Sequence, residues 1–236
     1  MNITGIQSRI EAVFFDLDDT LYDQLDSFRG AVEDTLPADL WAGLEMDELF
    51  RRVRYYGDRL LDRYAAGKLT FKELRVQRMI LAFADLGIAL DERQAETLQT
   101  RYRNGQQRIK LSPGAGELIA ALQRGGLDVG ILTNGPVDHQ MNKIRSLGLD
   151  AVIQPGRLFI SDALGIAKPD PRVFLQVSEI TGHAPERCLY VGDAWVNDVT
   201  GPLEAGWHSI WLNKRGDAPS SGHRPDRIVG ALEDIA

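Results

Sequence analysis

A chain of 236 residues, 44% apolar and 26% charged, is long enough for one large domain or for a core domain with an insert. Its formal charge of −7 excludes the basic face that non-specific nucleic-acid binding needs, and it gives no attraction to anionic membranes. A single cysteine, Cys188, excludes an intramolecular disulfide and points to a reducing, cytoplasmic setting. No stretch approaches a membrane-spanning length, and residues 1–11 are polar, so no signal peptide is expected.

Residues 12–16 form the first predicted strand. Val13, Phe14 and Phe15 are apolar, and the run ends in Asp16-Leu17-Asp18-Asp19-Thr20. A buried strand of an α/β sheet delivers its last residues to the carboxyl edge, where ligands bind. Crowding Asp16 and Asp18 there costs free energy unless a cation or protons compensate. An ordinary acidic turn is the alternative reading of this segment alone.

Residues 24–107 lack strand signals and read as helices. Leu49, Val53, Tyr56, Leu60 and Tyr64 make one apolar stripe at helical spacing, which predicts Tyr55, Tyr56 and Tyr64 as core rather than site. Thr70 and Glu73 form a capping box before a helix through Met79, Leu81 and Leu86, and Asp91 opens another helix. Arg51, Arg52, Arg54, Arg59 and Arg63 read as a solvated face, with an anion-facing role as the alternative.

Strand and helix alternate from residue 112 onward. A helix over 115–124 closes at Gly125-Gly126, and a strand over 127–132 ends in Thr133-Asn134-Gly135. A helix over 137–147 stops at Gly148, and a short strand covers 158–160. Lys168 lies in the following loop, and Asp170-Pro171 starts a helix that ends before Gly182. A strand over 188–191 leads to Gly192-Asp193, then a helix over 196–205 carries Asp198. Residues 209–212 form the last clear strand, 215–225 form a loop, and the tail adds a short strand and turn. Such alternation demands right-handed crossovers and a parallel sheet covered on both faces. The predicted fold is α/β, a doubly wound, Rossmann-like core over 1–22 and 108–236 with a helical insert over 23–107.

In this fold the strand ends converge. They bring together Asp16, Asp18, Thr133, Asn134, Asp193 and Asp198, with Lys168 from the loop. So many carboxylates call for a hard divalent ion with oxygen ligands, Mg²⁺. Thr133 and nearby backbone N–H groups suit phosphate oxygens, and Lys168 can neutralise both Asp16 and a phosphate. Positive charge placed around transferring oxygens is what phosphoryl transfer requires.

These segments resemble the haloacid dehalogenase-like hydrolase superfamily, its phosphatase branch with a helical, nucleotidase-like cap. Asp16-Leu17-Asp18-Asp19-Thr20 is similar to the first motif, Leu132-Thr133-Asn134-Gly135 to the second, Lys168-Pro169-Asp170 to the third, and Gly192-Asp193 with Asp198 to the fourth. The ordered set of four is a specific signal where each alone is weak. The resemblance implies that Asp16 is the nucleophile and forms an aspartyl-phosphate, and that Asp18 is the acid/base. It implies Mg²⁺ held by the Asp16 and Asp193 side chains and the Asp18 carbonyl. Asp198 then either ligates through water or orients Lys168. With a metal and Lys168 beside it, Asp16 is expected to stay ionised, while Asp18, turned away from the ion, is protonated part of the time. The insert is implied to be a cap, with Tyr22 at its hinge a candidate for substrate contact.

The implied function is Mg²⁺-dependent hydrolysis of a small phosphorylated metabolite. A phosphomutase of the same chemistry, a metal-independent haloacid dehalogenase and a non-enzymatic binding module are the alternatives. Dehalogenases of the superfamily lack the second acid of motif one, which Asp18 supplies here. Monomer and homodimer both stay open. His139, His183, His208 and His223 are scattered and read as surface or packing groups, and Cys188 as an inert buried thiol. Trp195 reads equally as site mouth or packing, and Gln140 as helix packing or a polar contact near the cap.

Overall fold

The computed structural model describes residues 10–235. Residues 1–9, within the segment where no leader is expected, and Ala236, at the tail, lie outside the described residues. The chain divides into two compact units, one of Met1–Asp23 with Lys110–Ala236 and one of Gln24–Ile109.

The Gln24–Ile109 unit is helical: α1 (Gln24–Thr35), α2 (Ala38–Trp41), α3 (Met46–Ala65), α4 (Phe71–Ala84) and α5 (Glu92–Gly105). Both sequence-readable starts are realised. Thr70 with Glu73 and Asp91 with Gln94 each form a reciprocal capping box. Phe28, Leu49, Phe50, Val53, Met79, Phe83 and Leu98 make the core, and each side chain so buried contributes about 1.5–3 kcal/mol. The apolar stripe of α3 is narrower than its spacing predicts. Leu49, Val53 and Leu60 are buried, but Tyr55 and Tyr64 are 51% and 44% exposed. Phenol rings tolerate this by leaning on neighbours while the hydroxyl stays wet: Tyr64 on Phe71, Tyr55 on Tyr56 and under Arg59. Tyr56 is half-buried and donates to Asp85. The arginines of α3 lie on its wet side, with Arg51 and Arg52 paired to Glu48.

The other unit holds a six-stranded parallel sheet: β1 (Ala12–Phe15), β2 (Asp128–Thr133), β3 (Leu158–Ile160), β4 (Cys188–Gly192), β5 (His208–Leu212) and β6 (Arg227–Val229). Its helices are α6 (Ala115–Arg124), α7 (Val137–Ser146), α8 (Ser161–Leu164), α9 (Pro171–Thr181) and α10 (Gly201–Glu204). The strand order is β3-β2-β1-β4-β5-β6. β1 and β4 are therefore neighbours across the point where the winding reverses, and their carboxyl ends flank the ligand crevice of such a sheet. β1 and β4 are buried along their whole lengths, as strands covered on both faces must be. Phe14 fits beside β2 because position 130 is glycine. A Cβ there would collide with the Phe14 ring and approach the Arg157 carbonyl oxygen to 2.7 Å.

The helix expected over 196–205 is instead a π-turn over Trp195–Thr200 followed by the short α10. Pro202 has no N–H to return to the Asp198 carbonyl, and the Ser209 hydroxyl donates to that carbonyl at 2.8 Å instead. The Gly201 N–H reaches back to Val196, a five-residue closure.

Candidate active site

Asp16 follows directly on β1. Its N–H continues the sheet ladder to the Val191 carbonyl at 2.9 Å, so its side chain is set by the strand. Lys168 donates from Nζ to Asp16 Oδ1 at 2.9 Å, to Asp198 Oδ1 at 2.6 Å and to the Tyr190 hydroxyl at 2.6 Å. All four groups are buried. Burial alone would depress the lysine, but Asp16 and Asp198 outweigh it and hold its pKa well above the ordinary value. Asp198 Oδ2 accepts the Ala194 N–H at 2.9 Å, so each of its oxygens already has a protein donor and it fixes the Lys168 head.

Asp193, half-buried at the end of β4, completes a cluster. One carboxylate oxygen each from Asp16, Asp193 and Asp198 lies within 4.8 Å of the others. This donor set is oxygen only, and one lysine balances only part of its charge. Burial, with Asp198 and Asp18 nearby, pushes Asp16 up to about 7 in spite of Lys168. Such a set fits a hard divalent cation. The Asp18 side chain stands outside the cluster, which leaves its backbone carbonyl as the atom the resemblance implies.

Asp18 is held elsewhere. Its Oδ1 accepts from Lys143 Nζ at 2.6 Å and from the Tyr22 hydroxyl, and its Oδ2 accepts from Gln140 Nε2 at 2.8 Å. Burial would raise its pKa, but these donors, Lys143 first, lower it. In the protein alone Asp16 is thus raised and Asp18 lowered, whereas the expected order is that of a site with an ion beside Asp16. Asp16 shares its lysine with a second carboxylate, whereas Asp18 has a lysine to itself among the carboxylates.

Several other expectations change. Tyr22 is fully buried and supports Asp18 rather than presenting its hydroxyl to substrate. Asn134 makes a reciprocal pair with the Lys168 backbone, donating to its carbonyl at 2.8 Å and accepting its N–H at 3.0 Å. Its side chain therefore ties two site loops together instead of binding phosphate. Thr133 is buried, and its Oγ1 accepts from Gln140 Nε2 at 2.6 Å. Gln140 belongs to the site, not to helix packing. Trp195 packs against Trp211 with ring centroids 4.7 Å apart. Cys188 is buried, and burial raises its thiol to about 11, as an inert thiol requires. Lys143 and Tyr190 carry no site signal in the sequence. A lysine on a polar helix and a tyrosine in an apolar strand are ordinary.

A sequence model of the haloacid dehalogenase-like hydrolases matches residues 10–206. The chain belongs to the haloacid dehalogenase-like hydrolases. This hydrolase is 31% identical to a phosphoserine phosphatase of Thermus thermophilus, over 96% of its own length and 98% of the relative's. Haloacetate dehalogenase H-2 of a Moraxella species is 26% identical over 96% of both chains. Among solved structures, the Bacillus subtilis hydrolase YfnB bound to magnesium superposes with a TM-score of 0.71 at 26% identity, covering 96% of this hydrolase and 97% of YfnB.

Proposed function

We propose that the protein is a Mg²⁺-dependent phosphatase that hydrolyses a small-molecule phosphate monoester through an aspartyl-phosphate on Asp16. The observation that carries this reading is the buried Lys168 ammonium bridging Asp16 and Asp198 beside Asp193. It supplies a nucleophile, a fixed cation and an oxygen-only metal site at one sheet edge. Asp16 and Asp193 would hold the ion with the Asp18 carbonyl, Asp198 acting through water or through Lys168, and the ion when bound would neutralise phosphate oxygens beside the nucleophile.

The Asp16 carboxylate attacks phosphorus, forming a new P–O bond while the bond to the alcohol oxygen breaks. The dianionic phosphate of a bound substrate would offset the donors that lower Asp18, so that Asp18 takes up a proton and gives it to that oxygen. It then takes a proton from the water that attacks phosphorus, which breaks the Asp16–phosphorus bond and releases inorganic phosphate. Lys168 faces the charge that develops around Asp16. Asp18 also separates this reading from dehalogenation, which has no leaving alkoxide to protonate. The helical unit follows motif one in the chain, and we assign it the role of a cap that selects the leaving group. A reducing cytoplasmic setting suits the lone buried thiol.

The test is phosphate release from a panel of phosphorylated metabolites with Mg²⁺, with Asp16→Asn as control. Activity that survives in chelator, or in Asp16→Asn, refutes the reading.

A further inference from the structure

Lys143 is a buried cation for which the reaction above has no use. It sits on α7, one turn after Gln140, with 4% of its surface exposed. Its Nζ donates to Asp18 Oδ1 at 2.6 Å and to Gln140 Oε1 at 2.8 Å. Gln140 Nε2 in turn spans Asp18 Oδ2 at 2.8 Å and Thr133 Oγ1 at 2.6 Å. Tyr22 donates to the same Asp18 Oδ1, and the lysine lies 5.9 Å from the centre of its ring.

Withdrawing an ammonium from water costs several kcal/mol, and an apolar side chain at a buried position on α7 would pack without that cost. The charge is aimed at one carboxylate, and both oxygens of that carboxylate are held. Such a chelate fixes the plane of the carboxyl group, whereas a lone ion pair fixes only its distance. Gln140 makes the arrangement a relay, since the same amide nitrogen also sets Thr133.

We propose that Lys143 is a positioning residue that orients the Asp18 carboxyl toward the leaving oxygen, with Gln140 registering that orientation against Thr133. The inference rests on the reading of Asp18 as acid/base. It has a consequence that a merely structural ion pair lacks. An alkoxide leaves poorly unless it is protonated, so its departure depends on where the Asp18 carboxyl points. A nitrophenolate leaves without a proton and is indifferent to that geometry.

The test compares the wild type with Lys143→Met, which keeps length and loses charge, on glycerol phosphate and on p-nitrophenyl phosphate with Mg²⁺. The expected result is a fall of about 10²-fold in kcat for the alkyl ester and of less than about fivefold for the aryl ester, with KM changed by less than about twofold. Lys143→Arg should regain part of the alkyl rate. The thermal shift given by beryllium fluoride with Mg²⁺, which reports the Asp16 side of the site, should be retained. Equal losses on both esters with that shift retained, or no loss on either, overturn the inference. Should Lys143→Met fail to fold, Gln140→Leu carries the same comparison, and an unaltered ratio of alkyl to aryl rates is again fatal. A wild type that releases phosphate from no ester overturns the phosphatase reading and this inference together. An active wild type with unselective variants overturns this inference alone.

Discussion

Tyr190 accepts a hydrogen bond from Lys168 Nζ at 2.6 Å and donates its O–H to the Leu132 carbonyl at 2.5 Å. With Asp16 and Asp198, it gives the ammonium one acceptor for each N–H. Burial, with Asp198 and Asp16 nearby, holds the phenol well above its ordinary pKa, so it remains a donor. Tyr190→Phe removes the acceptor of one Lys168 N–H and a donor to the Leu132 carbonyl. The expected cost is about 1–3 kcal/mol in urea unfolding. Phosphate release should fall by less than about tenfold, because both carboxylates still hold the lysine. Undiminished stability would show that water replaces the phenol at no cost.

Asp16 links pH to metal affinity. Its folded pKa of about 7 lies above the ordinary carboxyl value of 3.8, so the folded metal-free protein keeps a proton that the unfolded chain releases. Its contribution to stability is therefore fully present below about pH 4 and is lost as pH rises to about 7. In chelator, the stability of the wild type relative to Asp16→Asn should fall through that window and level off above it. A flat difference across the window contradicts the assignment. Since a cation binds the ionised carboxylate, Mg²⁺ affinity should rise with pH up to about 7, and the acid limb of the activity profile should move lower as Mg²⁺ is raised.

Lys168→Met leaves Asp16 and Asp198 buried without the cation between them. Breaking a buried pair in this way costs about 3–5 kcal/mol. The loss should be largest in chelator, and Mg²⁺ should restore part of it by taking over the charge compensation. Differential scanning calorimetry with and without Mg²⁺ reads this directly. Equal losses in both conditions would place the metal away from these carboxylates.

Three of the residues that the sequence brings to the site share one property: each stands where a buried strand stops. Asp16, Thr133 and Asp193 each follow an apolar run, and strand periodicity alone brings them to one edge. What the sequence hid depends on side-chain direction across elements. Lys143 and Arg145 both lie on α7, and only packing against the turn after β1 decides which cation is buried. Asn134 leaves its strand beside Thr133, yet its amide turns to the Lys168 backbone, a choice that no pattern within β2 encodes. The lowering of Asp18 in the protein alone is hidden for the same reason, because two of its donors, Lys143 and Gln140, stand more than a hundred positions away, and only Tyr22 is near in sequence. The π-turn before α10 is half legible: Pro202 removes the N–H that a regular helix would return to Asp198, but the Ser209 hydroxyl that takes this carbonyl comes from another element.

Gly192 offers a test of the packing that holds the metal side of the site. A Cβ at this position would stand 2.5 Å from the Asp198 Cβ, with the carboxylate still nearer. Asp198 cannot yield freely, because its oxygens are held by Lys168 and the Ala194 N–H. Gly192→Ala should therefore displace Asp198 and cost about 1–3 kcal/mol as overpacking, and it should lower phosphate release along with stability. The cause can be isolated by repeating Gly192→Ala in an Asp198→Gly background, where both the colliding carboxylate and its Cβ are gone. The two changes share one contact, so they should be non-additive, and the second background should recover more than about 1 kcal/mol of the glycine's cost. Strict additivity in urea unfolding would mean that Gly192 is needed for its backbone alone.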